Sequence, residues 1–124
     1  MAEARRDTVR GRSTDTFGRV LLSSRDQHLI ADGPVQNGCP GEAIGPAELF
    51  LAGVCACGVE LLQVLARDQQ VPLRGVQATI EAMQDPAKRV RDDVSTFTSV
   101  RLQLSMSGVT EEQGQDLVER FKRR

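Results

Sequence analysis

The chain has 124 residues, with sixteen basic and seventeen acidic side chains and a formal net charge of −1. So even a balance supplies no field for nucleic acid or an anionic membrane surface. The four aromatics, all phenylalanine, provide no base-stacking platform. The length suits a single domain over residues 1–124 with a modest core. Three cysteines, Cys39, Cys55 and Cys57, are an odd number, and Met1–Arg6 lacks the apolar run of a signal peptide. Both features point to free thiols in a reducing cytoplasm.

Residues 1–13 are polar and Arg-rich, the pattern of an extended or partly ordered start. Thr16–Ser24 and Gln27–Asp32 read as two short strands joined at Ser24-Arg25-Asp26 in a hairpin. His28, the only histidine, shares a strand face with Ile30 and Asp32. A lone histidine with scattered cysteines makes no metal site. Residues 33–45 form a Gly- and Pro-rich loop, with Cys39 at its tip.

A long helix then opens on Pro46, at a position where the missing N–H costs nothing. It runs apolar from Leu49 to Val59 and closes in polar Arg67-Asp68-Gln69-Gln70. The apolar run is shorter than about 20 clean residues and is interrupted by Glu60 and Gln63, which argues against a membrane span. A helix apolar on all sides belongs in a core or an interface. One chain of this size has difficulty enclosing it, so packing against a second copy is expected. Ala52, Gly53, Ala56 and Gly58 would let the backbones approach.

Val76, Ala78, Ile80 and Ala82 alternate with polar neighbours over residues 75–84, the period of a half-buried strand. Residues 85–95 are a charged connection in which Lys88, Arg89 and Arg91 are balanced by Asp92 and Asp93. A second strand follows over residues 96–107, with Val100, Leu102, Leu104 and Met106 on its apolar face. Thr110 with Gln113 three residues on is a capping box. It opens a last helix with Leu117, Val118 and Phe121 on one side. The class is α+β, with antiparallel sheets around a long buried central helix.

The segment GPAELFLAGVCACGVELLQVL resembles the central helix of the OsmC/Ohr family, the osmotically inducible and organic hydroperoxide resistance proteins. Leu29–Pro34 before it and Val71–Val76 after it also resemble that family, and the likeness covers residues 15–124. It implies an intertwined homodimer and thiol-dependent reduction of organic hydroperoxides in oxidative-stress defence, without a cofactor. Cys57 matches the family's reactive cysteine. Its helical neighbours Gly53, Val54 and Leu61, with Phe50, would form an apolar pocket for the substrate. Glu60 is either a hydrogen-bond acceptor at that pocket or simply the polar edge of the helix.

Burial alone would raise a thiol's pKa, so a reactive thiolate needs a cation beside it. The family supplies an arginine from its N-terminal strands; the positional match is Arg19, with Arg25 as runner-up. Many members carry a glutamate directly after the helix-opening proline to orient that arginine. Here Ala47 holds the place and the acid is Glu48. A one-residue shift turns a helical side chain by about 100°, which marks the chain as a divergent member.

The family's second, resolving cysteine has no counterpart after Cys57: either the chain is cut short just before it, or resolution is different. Cys55 points away from Cys57 on the helix and cannot substitute. The reductant implied is a dithiol, of the lipoyl type in the family. The alternative to a peroxidase is a non-enzymatic protein of the same fold that binds a small apolar ligand. A weaker third reading is a pure dimerisation module.

Overall fold

The computed structural model describes residues 3–89, 91 and 96–124. Asp92 and Asp93, expected to balance the charged connection, lie outside the described residues. The chain divides into two compact units, Met1–Phe50 and Leu51–Arg124.

The first unit is a three-stranded antiparallel sheet in the order β1 (Arg10–Ser13), β2 (Arg19–Ser24), β3 (Gln27–Asp32). The β2–β3 hairpin is the expected one. Its two-residue turn requires the left-handed region at Arg25, where φ is 54°. The turn fixes the register, pairing Ser24 with Gln27, Leu22 with Leu29 and Arg19 with Asp32. β1 was not expected as a strand, because Arg10-Gly11-Arg12-Ser13 carries no apolar alternation. It forms by backbone pairing with β2, Arg10 opposite Ser23 and Ser13 opposite Val20. One face of the sheet carries Val20, Leu22, Leu29 and Ala31, the last buried. The other is largely polar.

The loop after β3 is pinned by Cys39, which fills the space left by two glycines. A Cβ on Gly33 would lie 2.6 Å from the Cys39 sulfur, and one on Gly18 would overlap it. The Gly33 N–H donates to the Gly18 carbonyl at 2.8 Å, closing the same contact through the backbone. Cys39 is thus a half-buried wedge rather than a loop tip.

The helix α1 (Pro46–Asp68) starts as its proline predicts. The Glu48 carboxylate accepts the Gly45 N–H at 2.8 Å, satisfying one of the orphan donors of the helix start. It ends in a Schellman motif: Gln70 has φ 56°, Val71 N–H donates to Ala66 O and Gln70 N–H to Arg67 O.

In the second unit α1 packs with a two-stranded antiparallel sheet, β4 (Gly75–Met83) and β5 (Ser99–Ser107), and with α2 (Glu111–Lys122). Val76, Ala78 and Ile80 pair with Met106, Leu104 and Leu102, placing the two apolar faces side by side. Leu62, Leu65 and Ala66 of α1 meet Leu117 of α2 to form the core, with Leu61, Val76, Leu104, Met106 and Phe121 around it. The expected capping box is present: Thr110 Oγ1 accepts the Gln113 N–H at 3.1 Å and Gln113 Oε1 accepts the Thr110 N–H at 3.0 Å.

The expectation of a helix buried all round needs correction within one chain. Gly58, Leu62, Leu65 and Ala66 are buried, whereas Ala52, Gly53, Val54, Ala56 and Cys57 are exposed. Gly58 is therefore not part of the open stripe. A Cβ on it would touch Phe121 and Leu102 at 3.5 and 3.6 Å. The length argument against a membrane span also needs correction. α1 has 23 residues, its best 18-residue window reaches a mean hydropathy of 2.1, and by length and composition it could cross a bilayer. What marks it as a protein-packed helix is its C-terminal half, committed to the sheet and to α2.

Candidate active site around Cys57

Residues two apart on a helix point to nearly opposite sides, and α1 divides its two thiols this way. Cys55 turns toward β4, its sulfur 3.8 Å from the Ala78 carbonyl, and is half-buried. Cys57 is exposed. The sulfurs diverge, as the spacing predicts.

The residues expected to line a pocket with Cys57 separate. Gly53 has open space where a side chain would stand, and Val54, one turn before Cys57, is 41% exposed. Phe50, at the start of the helix's second turn, is 62% exposed. Leu61 instead packs against the core cluster and so does not stand beside the thiol as an open wall. Glu60 is exposed, at the polar edge of the stripe. Within one chain this is an open apolar strip with a thiol in it.

The charged residues expected to serve the thiol are held within the first unit. Arg19 Nε and Nη2 donate to the two carboxylate oxygens of Asp32 at 2.7 and 2.8 Å, a bidentate pair. Nη2 also donates to Glu42 at 3.1 Å. Asp32 is 1% exposed, and its Oδ2 accepts two further backbone N–H groups, from Glu42 at 3.0 Å and Ala43 at 2.8 Å. The Arg19 hydrogen bond holds the Asp32 carboxyl far below the usual carboxylate range. Burial opposes that shift, and the Ala43 and Glu42 N–H groups reinforce it. The same bonds push the Arg19 guanidinium above its ordinary value.

Glu48 caps the helix through Gly45 rather than orienting Arg19. Arg25 is exposed in the hairpin turn. Asp32 and Glu42 are the partners the sequence reading missed. A signal existed: once the two-residue turn is placed, counting back along the hairpin sets position 19 across from 32. Among the described residues, no group of three or more His, Cys, Asp or Glu could hold a metal ion.

An antiparallel three-stranded sheet, a hairpin, and a long apolar helix with a mid-helix thiol define an α+β fold of recognisable type. The chain belongs to the OsmC-like protein family, whose model matches residues 39–124. Solved structures agree over nearly the whole chain. An OsmC-like protein from Mycoplasma pneumoniae superposes with a TM-score of 0.82 at 12% identity, covering 98% of this chain and 84% of that one. An organic hydroperoxide resistance protein OsmC from Legionella pneumophila gives 0.74 at 20% identity, covering 97% and 84%. An organic hydroperoxide resistance protein from Elizabethkingia anophelis, with thiocyanate bound, gives 0.72 at 20% identity, covering 98% and 84%. At these identities the likeness is one of fold. No curated protein matches the chain significantly.

Proposed function

We propose that the protein reduces organic hydroperoxides through Cys57, as part of peroxide defence in the cytoplasm. The observation that carries this reading is an exposed thiol on an apolar helix stripe, a surface that favours an apolar peroxide over a hydrated one. The organic hydroperoxide resistance proteins of the same fold support it.

In the proposed reaction the Cys57 thiolate attacks one oxygen of the O–O bond. The S–O bond forms, the O–O bond breaks, and the alkoxide leaves and takes a proton to become the alcohol. Cys57 is left as a sulfenic acid. Cys55 and Cys39 are each committed elsewhere, the first toward Ala78 and the second between two glycines. The proposed reductant is an external dithiol of the lipoyl type. Its first thiol condenses with the sulfenic acid and releases water. Its second thiol displaces Cys57 from the mixed disulfide, so that the donor is oxidised to a disulfide. Arg19 is the proposed cation for the thiolate, with Arg25 the alternative. Glu60 is the proposed acceptor at the edge of the stripe, and Glu48 supports the start of the helix that carries Cys57.

The open stripe also supports an intertwined homodimer. Val54 and the exposed small residues Ala52, Gly53 and Ala56 form an apolar face that a second copy would cover, turning a strip into a pocket. Steady-state turnover tests the reading. Cumene hydroperoxide should be consumed with dihydrolipoamide as electron donor, and Cys57→Ser should abolish the reaction.

A second reading, non-enzymatic binding of a small apolar ligand in that interface, is favoured by one specific observation. Arg19 already donates through Nε and Nη2 to Asp32 and Glu42, and Glu48 already accepts the Gly45 N–H. Ligand binding with no turnover would select it.

A further inference from the structure

The polar face of the β1–β2–β3 sheet carries a feature that the thiol chemistry does not use. Pairing sets Arg10, Ser23 and His28 in one row across the three strands, and Arg12, Leu21 and Ile30 in the next row on the same face. Arg10, Gly11, Arg12, Leu21, Ser23 and His28 line a groove of about 400 Å³. Among the described residues no carboxylate lines it.

The two arginines differ from those that the fold ties to a carboxylate. Arg5 pairs with Asp7, Arg19 with Asp32 and Glu42, Arg67 with Asp68, and Arg120 with Asp116. Arg10 and Arg12 have no acidic partner among the described residues. Two positions apart on a strand, they extend from the same face with Cα atoms roughly 7 Å apart. That is close enough for both guanidinium forks to reach one tetrahedral anion. Opposite them, His28 Nδ1 is 2.7 Å from Ser23 Oγ. In the tautomer whose Nδ1 accepts from the hydroxyl, Nε2 carries the ring N–H and can donate to an anion.

We propose that this groove binds a small phosphate-bearing anion, inorganic phosphate or the monoester end of a soluble metabolite. Guanidinium forks match phosphate oxygens in geometry and charge, and a phosphate monoester is close to a dianion at pH 7, which suits two cations. Among the described residues no Phe, Tyr or Trp lines the groove, so recognition falls on the phosphate. The site lies wholly within the first unit and is independent of Cys57.

The test is an amide-resolved NMR titration of the full chain with sodium phosphate at pH 7, sodium chloride holding ionic strength constant. Resonances of residues 10–12, Ser23 and His28 should shift and saturate. Arg10→Gln/Arg12→Gln should raise the midpoint about tenfold or more, and His28→Ala about threefold. Arg101→Gln, on β5, should leave it unchanged. All these side chains but Ser23 are exposed, so the variants should keep the native spectrum elsewhere. Glycerol 3-phosphate should bind at least as well as inorganic phosphate, and loss of binding with the monoester would overturn the metabolite assignment. Shifts that do not saturate, that chloride reproduces, or that keep their midpoint in the double arginine variant would overturn the site itself.

Discussion

Arg19 and Asp32 face one another across β2 and β3 and are joined by two hydrogen bonds of 2.7 and 2.8 Å, with Asp32 buried beneath the guanidinium. This pair ties the second hairpin strand to the loop that follows it, because Asp32 also gathers the N–H groups of Glu42 and Ala43. Asp32→Asn keeps the volume but presents an amide N–H₂ to a cation. It should lower the melting temperature by on the order of 5 °C, read by calorimetry. Arg19→Lys, which keeps the charge and loses the fork, should fall between native and Asp32→Asn.

The pH dependence of that difference follows from linkage. Asp32 has its folded pKa depressed, so its contribution is present above the unfolded carboxylate value and is lost as pH falls below it toward the folded value. The stability gap between the native protein and Asp32→Asn should thus be constant at neutral pH and shrink below about pH 4. Denaturant midpoints measured from pH 7 to pH 3 check this. A gap that widened on acidification would contradict it.

Gly33 and Cys39 make a second testable pair. A methyl on Gly33 would meet the Cys39 sulfur at 2.6 Å, so Gly33→Ala should cost about 1–3 kcal/mol by overpacking. Cys39→Ala removes the sulfur. In that background the same glycine substitution should cost at least about 1 kcal/mol less. Urea denaturation of all four proteins in the cycle gives the coupling directly.

The core of the second unit rests on Leu62, which has no exposed surface. Leu62→Ala should destabilise by about 2–5 kcal/mol. Thr110→Ala, which removes one side of the α2 capping box, should cost about 1 kcal/mol. Thermal or urea unfolding should rank the two in that order.

The exposed stripe of α1 gives the oligomer prediction. Val54→Glu places a charge on a residue that is 41% exposed in the single chain and should leave the chain folded. If a second copy covers the stripe, the substitution buries that charge and should convert dimer to monomer in sedimentation. A native protein that sediments as a monomer at micromolar concentration would rule out the dimer.

Much of this was legible in the sequence, and the parts that were share a physical cause. The helix start at Pro46, the Thr110–Gln113 box, the β2–β3 hairpin and the alternating faces of β4 and β5 are written in short-range patterns. β1 was not legible because Arg10-Gly11-Arg12-Ser13 has no apolar period; its partner strand makes it a strand. The half-open state of α1 was hidden for the opposite reason. A sequence apolar on every side cannot say which stripe its own chain covers. Position 61 faces the core and position 54 faces out, although both are helical neighbours of Cys57. The polar partners were legible only in part. Arg19 was singled out, but its commitment to Asp32 depends on a register that the turn decides.

The most direct test of the central claim is single-turnover oxidation of Cys57, followed by mass spectrometry under pseudo-first-order cumene hydroperoxide and, separately, hydrogen peroxide. The Cys57 thiol should be lost to sulfenic acid far faster than a free thiol reacts, and faster with the organic peroxide, with Cys55 and Cys39 unchanged. Oxidation of Cys57 at the rate of a free thiol, or with no preference for the organic peroxide, would contradict it.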